Sequence, residues 1–291
     1  MIRDTRALLA SRQYVFSEAI SQLHERASLL RNAPQKSGEW VSIEQNKGSF
    51  EGFTVNQQSL NLGWDSVQGQ TMFGFTAGYT QGTTKGNGQE THRMATIGAD
   101  YSWSSMGWFV DSAIRYMHLS QDLTFDPVLD IHHGKARSHI LAGSVKSGYQ
   151  FTADRGSLFI SPYVGLSGGS LSGFSLKSDS AQVSLGSSTP YFATAGLEVK
   201  KRGLWKSNPD VMLTAGVEYQ YSPGSAGSSL TLSDSQVSRK YGALSDNRYR
   251  VQMGVEGKIA DNWSVEGKAR SSVGGTFRTD YSGIAGITYH F

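Results

Sequence analysis

Charged residues recur at alternate positions in several stretches of this chain. Arg248 and Arg250 share a side with Gln252 and Glu256, and Glu266, Lys268 and Arg270 share another. Asp100, Asp111, Arg115, Glu198 and Glu218 each stand between apolar or small neighbours. Successive side chains of an extended chain point to opposite faces, so these residues form the charged members of one face. Carboxylates beside cations invite a catalytic reading. Mixed signs at this density are more simply a wet surface that pairs with itself.

Three further constellations invite chemistry. His118-Leu119-Ser120 sets an imidazole and a hydroxyl on one face, two parts of an activated nucleophile. The stretch 138–149 beside it holds no asparagine or carboxylate to orient the base. His132-His133 would point apart in an extended chain, with only Asp130 close by, which is a poor metal site. Lys85-Gly86 and Asn87-Gly88 read as turns rather than phosphate cradles. No catalytic, cofactor or metal site is expected, and the chain reads as a non-enzyme.

The elements that position these residues are strands. In the closing segment Tyr281, Gly283, Ala285, Ile287, Tyr289 and Phe291 share one face, and small, mostly polar residues fill the other. An apolar face with aromatics at both ends, over about ten residues, is the unit of a transmembrane β-barrel. Composition agrees: 34 glycines, 13 Phe, 6 Trp and 13 Tyr accompany a net charge of only +3. No run approaches the roughly 18 apolar residues that a membrane helix needs. Cysteine is absent, which removes disulfides and thiolate sites. The charge is too small to argue for nucleic acid.

The alternation recurs in 60–65, 73–79, 95–103, 108–116, 191–199, 211–221, 248–259 and 263–270. It is blurred in 40–46, 139–151 and 158–169, where Pro162 and glycines intervene. Together with the last segment these predict a 12-stranded antiparallel barrel, an even number whose two ends lie on the same side. Short links are expected near 66–69, 104–106, 153–156, 204–210 and 261–262, and longer polar ones near 81–89, 121–135, 175–189 and 222–246. Outer-membrane barrels carry short periplasmic turns and long extracellular loops, which places Gly38 and Phe291 at the periplasmic rim. The outward face would meet outer-membrane lipid. The charged face would line the pore. Gly168, Gly169 and Gly173 are read as curvature or as close approach of another element.

The segment before Gly38 has a different period. Leu8, Val15/Phe16, Ala19/Ile20, Leu23, Ala27 and Leu30 recur at three- and four-residue steps, the pattern of a helix with one apolar stripe. Arg6, Arg12, Glu18, Glu25 and Arg26 fill much of the rest, and Asn32-Ala33-Pro34 ends it. A helix over about residues 4–31 would be roughly 40 Å long, enough to traverse a barrel. Residues 1–37 are therefore read as a linker with a helix inside the pore, and 38–291 as the barrel. Arg3, Asp4 and Arg6 leave Met1 to Ala10 without the apolar core of a signal peptide. Export across the envelope then implies that the chain is the C-terminal piece of a longer precursor.

A helix leading into twelve strands, Gly38-Glu-Trp-Val at the first, Ser59-Leu-Asn-Leu-Gly-Trp-Asp in the second and Ile287-Thr-Tyr-His-Phe291 at the end resembles the translocator domain of monomeric autotransporters, the type V secretion family. The resemblance covers essentially the whole chain. It implies an outer-membrane unit that anchors and exports a covalently linked upstream passenger, absent here, to the cell surface. Residues such as Phe16, Ile20, Leu23, Arg26 and Leu30 would belong to a helix that plugs the pore afterwards. Tyr281, Ile287, Tyr289 and Phe291 would carry the signal read by the barrel assembly machinery, with periplasmic chaperones as further partners. The unit would be a monomer without cofactor. Some family members cut their own helix at an Asn-Asn junction facing barrel acids. No Asn-Asn pair exists between Met1 and Arg31, which departs from that pattern.

Two other readings stand beside this one. A porin would have no helix in its lumen. The His118/Ser120 pair is similar to the way an outer-membrane phospholipase, also a twelve-stranded barrel, presents its own pair; that family lacks a pore helix.

Overall fold

The computed structural model describes residues 2–32, 37–86, 88–124, 133–177, 181–205, 207, 209–223, 229–234, 238–242 and 244–291. Two helices come first, α1 (Ile2–Ser21) and α2 (Glu25–Asn32). Strands follow in chain order: β1 (Gly38–Phe50), β2 (Phe53–Gln68), β3 (Thr71–Lys85), β4 (Gln89–Ser105), β5 (Trp108–Thr124), β6 (His133–Tyr149) and β7 (Phe151–Ala153). Next are β8 (Leu158–Leu171), β9 (Phe174–Lys177), β10 (Ala181–Leu185), β11 (Tyr191–Arg202) and β12 (Met212–Ser222). The last are β13 (Ser229–Asp234), β14 (Ser238–Gly242), β15 (Asp246–Ala260), β16 (Trp263–Val273) and β17 (Arg278–His290).

Neighbouring strands pair antiparallel from β1 to β6, then through β8, β11, β12, β15, β16 and β17, and β17 pairs back onto β1. The ring is closed and has no edge. The short β7 is the end of β6, because Gly148 faces Tyr163 and Phe151 faces Ile160 in one unbroken register on β8. The barrel is thus twelve-stranded, as the alternation predicts. The register offsets accumulated around the ring amount to about 14 residues, which tilts the strands by about 40° and gives a backbone diameter of roughly 22 Å.

Burial follows the two-residue period. Ile43, Leu62, Phe75, Ile97, Ile114, Leu141, Val164, Val251 and Ile287 point outward. On the closing strand Tyr281, Ile287, Tyr289 and Phe291 are all exposed on the outer face. Trp40 breaks the habit by turning inward and lying buried.

The connections differ from expectation on one side. Turns at 69–70, 106–107, 154–157, 203–211 and 261–262 gather at one end, where Gly38 and His290 also pair. Met106 and Gly107 both take positive φ, as a two-residue hairpin turn requires. At the opposite end the proposed loop 81–89 is largely strand, because β3 runs to Lys85 and β4 starts at Gln89. Likewise β5 reaches Thr124 and β6 begins at His133. A membrane needs only about 9–11 residues of each strand. The remainder of these 17-residue strands projects into water, where polar side chains on both faces hide the strand signal. Asn87, Asp130 and His132 lie outside the described residues.

The polar stretches 175–189 and 222–246 carry structure of their own. Strands β9, β10, β13 and β14 form a separate four-stranded sheet. Leu176, Val183 and Leu185 from it pack with Phe50, Phe53 and Phe277 of the barrel rim and with Tyr14 of α1, as one buried apolar cluster. The long-connection end is therefore capped by a second, small core. Phe277 is fully buried there, 5.3 Å from Phe50 and 6.2 Å from Tyr14 by ring centroids. Phe277→Ala is expected to cost the cap about 3–5 kcal/mol. Proteolysis within 172–190 and 223–245 should then accelerate while the barrel keeps its folded mobility in an unheated gel; unchanged cleavage would show that this core does not hold the cap.

Candidate functional site

A ring of this width leaves, inside its lining side chains, a bore close to the 10–12 Å of one helix with its side chains. The helical segment occupies it. Its C-terminal end lies at the short-turn rim, where the Asn32 amide donates to Gln150 Oε1 at 3.0 Å. Tyr14, toward the other end, donates to Asn46 Oδ1 at 2.7 Å beneath the cap. The segment is not the single helix that its periodicity suggests. Residues Gln22 to His24 form a turn with bonds such as Leu23 N to Ile20 O (3.2 Å) and Glu25 N to Gln22 O (3.2 Å). The Ser21 hydroxyl donates to Glu18 O at 2.7 Å, competing with the helix's own ladder at the bend. Of the predicted stripe, Leu8 lies among residues whose side chains are not described, as do Ala33 and Pro34 beyond the helix end.

One side of the helix is apolar. Val15, Phe16, Ile20 and Leu23 pack on Met94, Ala113, Met117, Leu119, Ile140, Ala142, Leu171 and Phe192 from the inner wall. Lower down, Ala27 and Leu30 pack with Met72. On this side the lumen is apolar, and the charged positions line only the rest of it. Apolar inner residues lie between outward apolar neighbours there, and a period of two cannot separate two faces that are both apolar. Gly169 lets the helix approach: a Cβ on it would stand 2.9 Å from the Phe16 ring and 2.7 Å from Leu141 O. On the other wall, a Cβ at Gly48 would collide with the Tyr14 hydroxyl.

The opposite side is ionic. Glu18 pairs with Arg248 (3.1 Å), accepts from Asn46 Nδ2 (2.9 Å) and from Thr279 Oγ1 (3.0 Å), and is almost completely buried. Arg248 also reaches the Ser17 hydroxyl and lies 3.2 Å from Asp246. Glu25 takes Arg270 at 2.7 Å and Lys268 at 3.5 Å, and Arg270 bridges onward to Glu44 at 2.8 Å. Arg26 pairs with Asp65 at 2.6 Å, donates to Thr288 at 3.0 Å and lies over the Trp40 ring at 5.3 Å. Ser28 donates to Glu198 at 2.6 Å, and Arg31 is bonded to Asp111. At the helix end Lys200 donates to Ser28 O and Arg202 to Asn32 O. Cations there satisfy terminal carbonyls and complement the helix dipole.

The predicted charged positions therefore divide. Arg248, Lys268, Arg270, Glu198 and Asp111 touch the helix. Asp100 and Arg115 pair with each other in the wall at 2.7 Å, as do Glu218 and Arg250 at 3.3 Å. Glu256 and Glu266 face each other across β15 and β16 and line a cavity of about 150 Å³ with Arg26 and Leu30 at the short-turn mouth. Asp65 and Lys200, which alternation puts on the inward face of their strands, also serve the helix, as do Glu44 and Asp246, which it does not single out. Glu44 sits on β1, where inward Trp40 contradicts the rule that aromatics mark the outer face. Beside the helix remain a cavity of about 110 Å³ against β1–β5 and one of about 60 Å³ on the other side, each with room for a few waters.

The other constellations gain no chemistry. His118 points toward its cross-strand partner His139, with their Nδ1 atoms 3.4 Å apart, and Ser120 stands between Arg93 and Arg137 in register. No carboxylate bonds to His118 among the described residues.

Comparison with known proteins adds a family. The family model described as "Autotransporter beta-domain" matches residues 37–270. The chain is 25% identical over 300 residues to "Serine protease sat autotransporter" of Escherichia coli, covering 98% of this chain and 22% of that protein. It is 24% identical over 300 residues to "Serine protease pet autotransporter", also of Escherichia coli, with the same coverages of 98% and 22%. The chain thus spans about a fifth of the length of these relatives. Among solved structures, the translocator domain of NalP from Neisseria meningitidis shares the fold at a TM-score of 0.70, with 15% identity over 99% of this chain and 98% of that one.

Removing one partner of a buried pair strands the other, at a cost of about 3–5 kcal/mol. Arg270→Met leaves Glu25 and Glu44 without their shared cation and should loosen the helix. Arg115→Met breaks a pair confined to the wall and should leave the helix seated. Planar-bilayer recordings are expected to show frequent opening for the first variant and not for the second; equal behaviour would deny the ionic side its hold on the helix.

Proposed function

The chain belongs to the autotransporter β-domain family, and from that membership we propose how its parts divide the work of an outer-membrane translocator. The barrel is the unit that anchors a passenger lying upstream of residue 1 and through whose lumen that passenger is exported. Residues 1–37 are the linker whose helix plugs the pore once export is over, and 38–291 are the barrel. Phe16, Ile20 and Leu23 seat the plug on the apolar wall, and Arg26 and Glu25 with Arg270 and Lys268 fix its rotation. Tyr281, Ile287, Tyr289 and Phe291 form the outward apolar face that the assembly machinery reads, after periplasmic chaperones have delivered the chain. The unit acts as a monomer and breaks no bond; its helix stays uncut.

One observation carries this reading. The helix runs through the lumen with its N-terminal end toward the long connections, the extracellular side of such barrels, so a chain preceding it would emerge outside the cell. A porin has no use for such a segment. Deleting residues 1–34 should raise single-channel conductance in a planar bilayer severalfold, and adding the segment back as a peptide should lower it. Unchanged conductance on deletion would remove the plug from the account.

A further inference from the structure

We propose that the outer face of β4, β5 and β6, just above the apolar band, is a binding site for a phosphorylated lipid headgroup of the outer leaflet. The inference rests on the orientation reached above and concerns a face that the export pathway does not use. Arg93, Ser120 and Arg137 are direct cross-strand neighbours on three adjacent strands. One step toward the membrane, His118 and His139 are also paired in register, and the Tyr116 hydroxyl and His139 Nδ1 are hydrogen-bonded at 2.7 Å. Side chains of this row stand on the outward face, with Arg93, Arg137 and His139 exposed.

Among the described residues the two arginines hold no other side chain. Neither Arg93 nor Arg137 takes part in an ion pair or hydrogen bond among the described residues. Asp122, the nearest outward carboxylate, lies one row higher and faces Lys135. Cations set directly above an apolar band meet the headgroup plane, where anionic lipid attracts them. Strands lie about 4.8 Å apart, so the two arginine stems start roughly 10 Å from each other across Ser120. That separation lets two guanidinium forks close on one phosphate or take one each on a bis-phosphorylated sugar, with bidentate geometry that lysine lacks. The serine hydroxyl and the imidazoles add hydrogen-bonding groups below. On the far side of the barrel Tyr221, Asn247 and Val273 occupy the outward positions nearest the rim, and none of them is a cation.

The test uses the intact chain in phosphatidylcholine bicelles, with a bis-phosphorylated lipid A or its dephosphorylated form as probe. Native mass spectrometry should show the phosphorylated probe bound at least about tenfold more tightly than the other. The double variant R93S/R137S should lose about thirtyfold, near fivefold per arginine, while K47S, an outward cation elsewhere on the rim, should bind as the native chain does. Equal binding of both probes, retention by the double variant, or an equal loss in K47S would overturn the site. A second measurement needs no variant: the phosphorylated probe alone should protect Arg93 and Arg137 of the native chain from phenylglyoxal, and modification at an unchanged rate would refute the proposal.

Discussion

The bore of the barrel constrains everything inside it. Twelve strands with a stagger of about 14 residues leave room for roughly one helix and little else. A helix confined so closely keeps room for only a few waters beside it, and the face that carries Glu18, Glu25 and Arg26 gives up most of its hydration. Dehydrated charges are tolerated only when paired and hydrogen-bonded. The network of Glu18 with Arg248, and of Glu25 and Glu44 with Arg270, follows from the width of the ring as much as from any property of the helix.

The outside of this molecule was legible and the inside only in part. Lipid imposes one rule on the outer face, so positions such as Leu62, Ile97 and Val251 lie in stretches with a clear period of two. The lumen obeys a local rule instead: each inner residue suits whatever part of the helix lies opposite. Met117 and Leu119 are inward and apolar because Phe16 and Ile20 face them, and no single-strand pattern carries that information. Glu44 escaped notice for a related reason, since Trp40 on the same strand turns inward to lie under Arg26. The cap was missed because β9, β10, β13 and β14 are short strands of Ser-rich sequence, whose few apolar residues acquire meaning only beside Phe50 and Phe277.

Buried ion pairs are weak evidence of stability, since a hydrophobic set of equal volume does as well or better. Their value here is compatibility with two states. In the proposed export, while a passenger threads the lumen or before the helix settles, Arg248 and Arg270 would stand in a water-filled channel, where leucine or methionine in their place would favour collapse or sticking. Charged walls stay hydrated when the bore is open and find partners when it is closed. The price is that each closed-state pair must be geometrically complete, which Glu18 illustrates with its bonds to Arg248, Asn46 and Thr279.

The division of the lumen into an apolar side, largely β4 to β8, and an ionic side, largely β15 to β17 with β1, settles how the helix is held. An apolar surface alone would permit rotation or sliding at small cost, because such contacts are not directional. Ionic contacts alone would be satisfied only at fixed registry, yet contribute little net attraction. Together they assign one rotation and one depth. The bend at Gln22 to His24 fits this scheme: the apolar stripe above it faces β4–β6, and past the bend Glu25, Arg26 and Ser28 meet β16, β2 and β11 in turn. A straight helix would keep one face along its whole length. A bent one turns its lower part so that three walls of the barrel each receive a polar contact, and Lys200 and Arg202 then bond to carbonyls of its last turn.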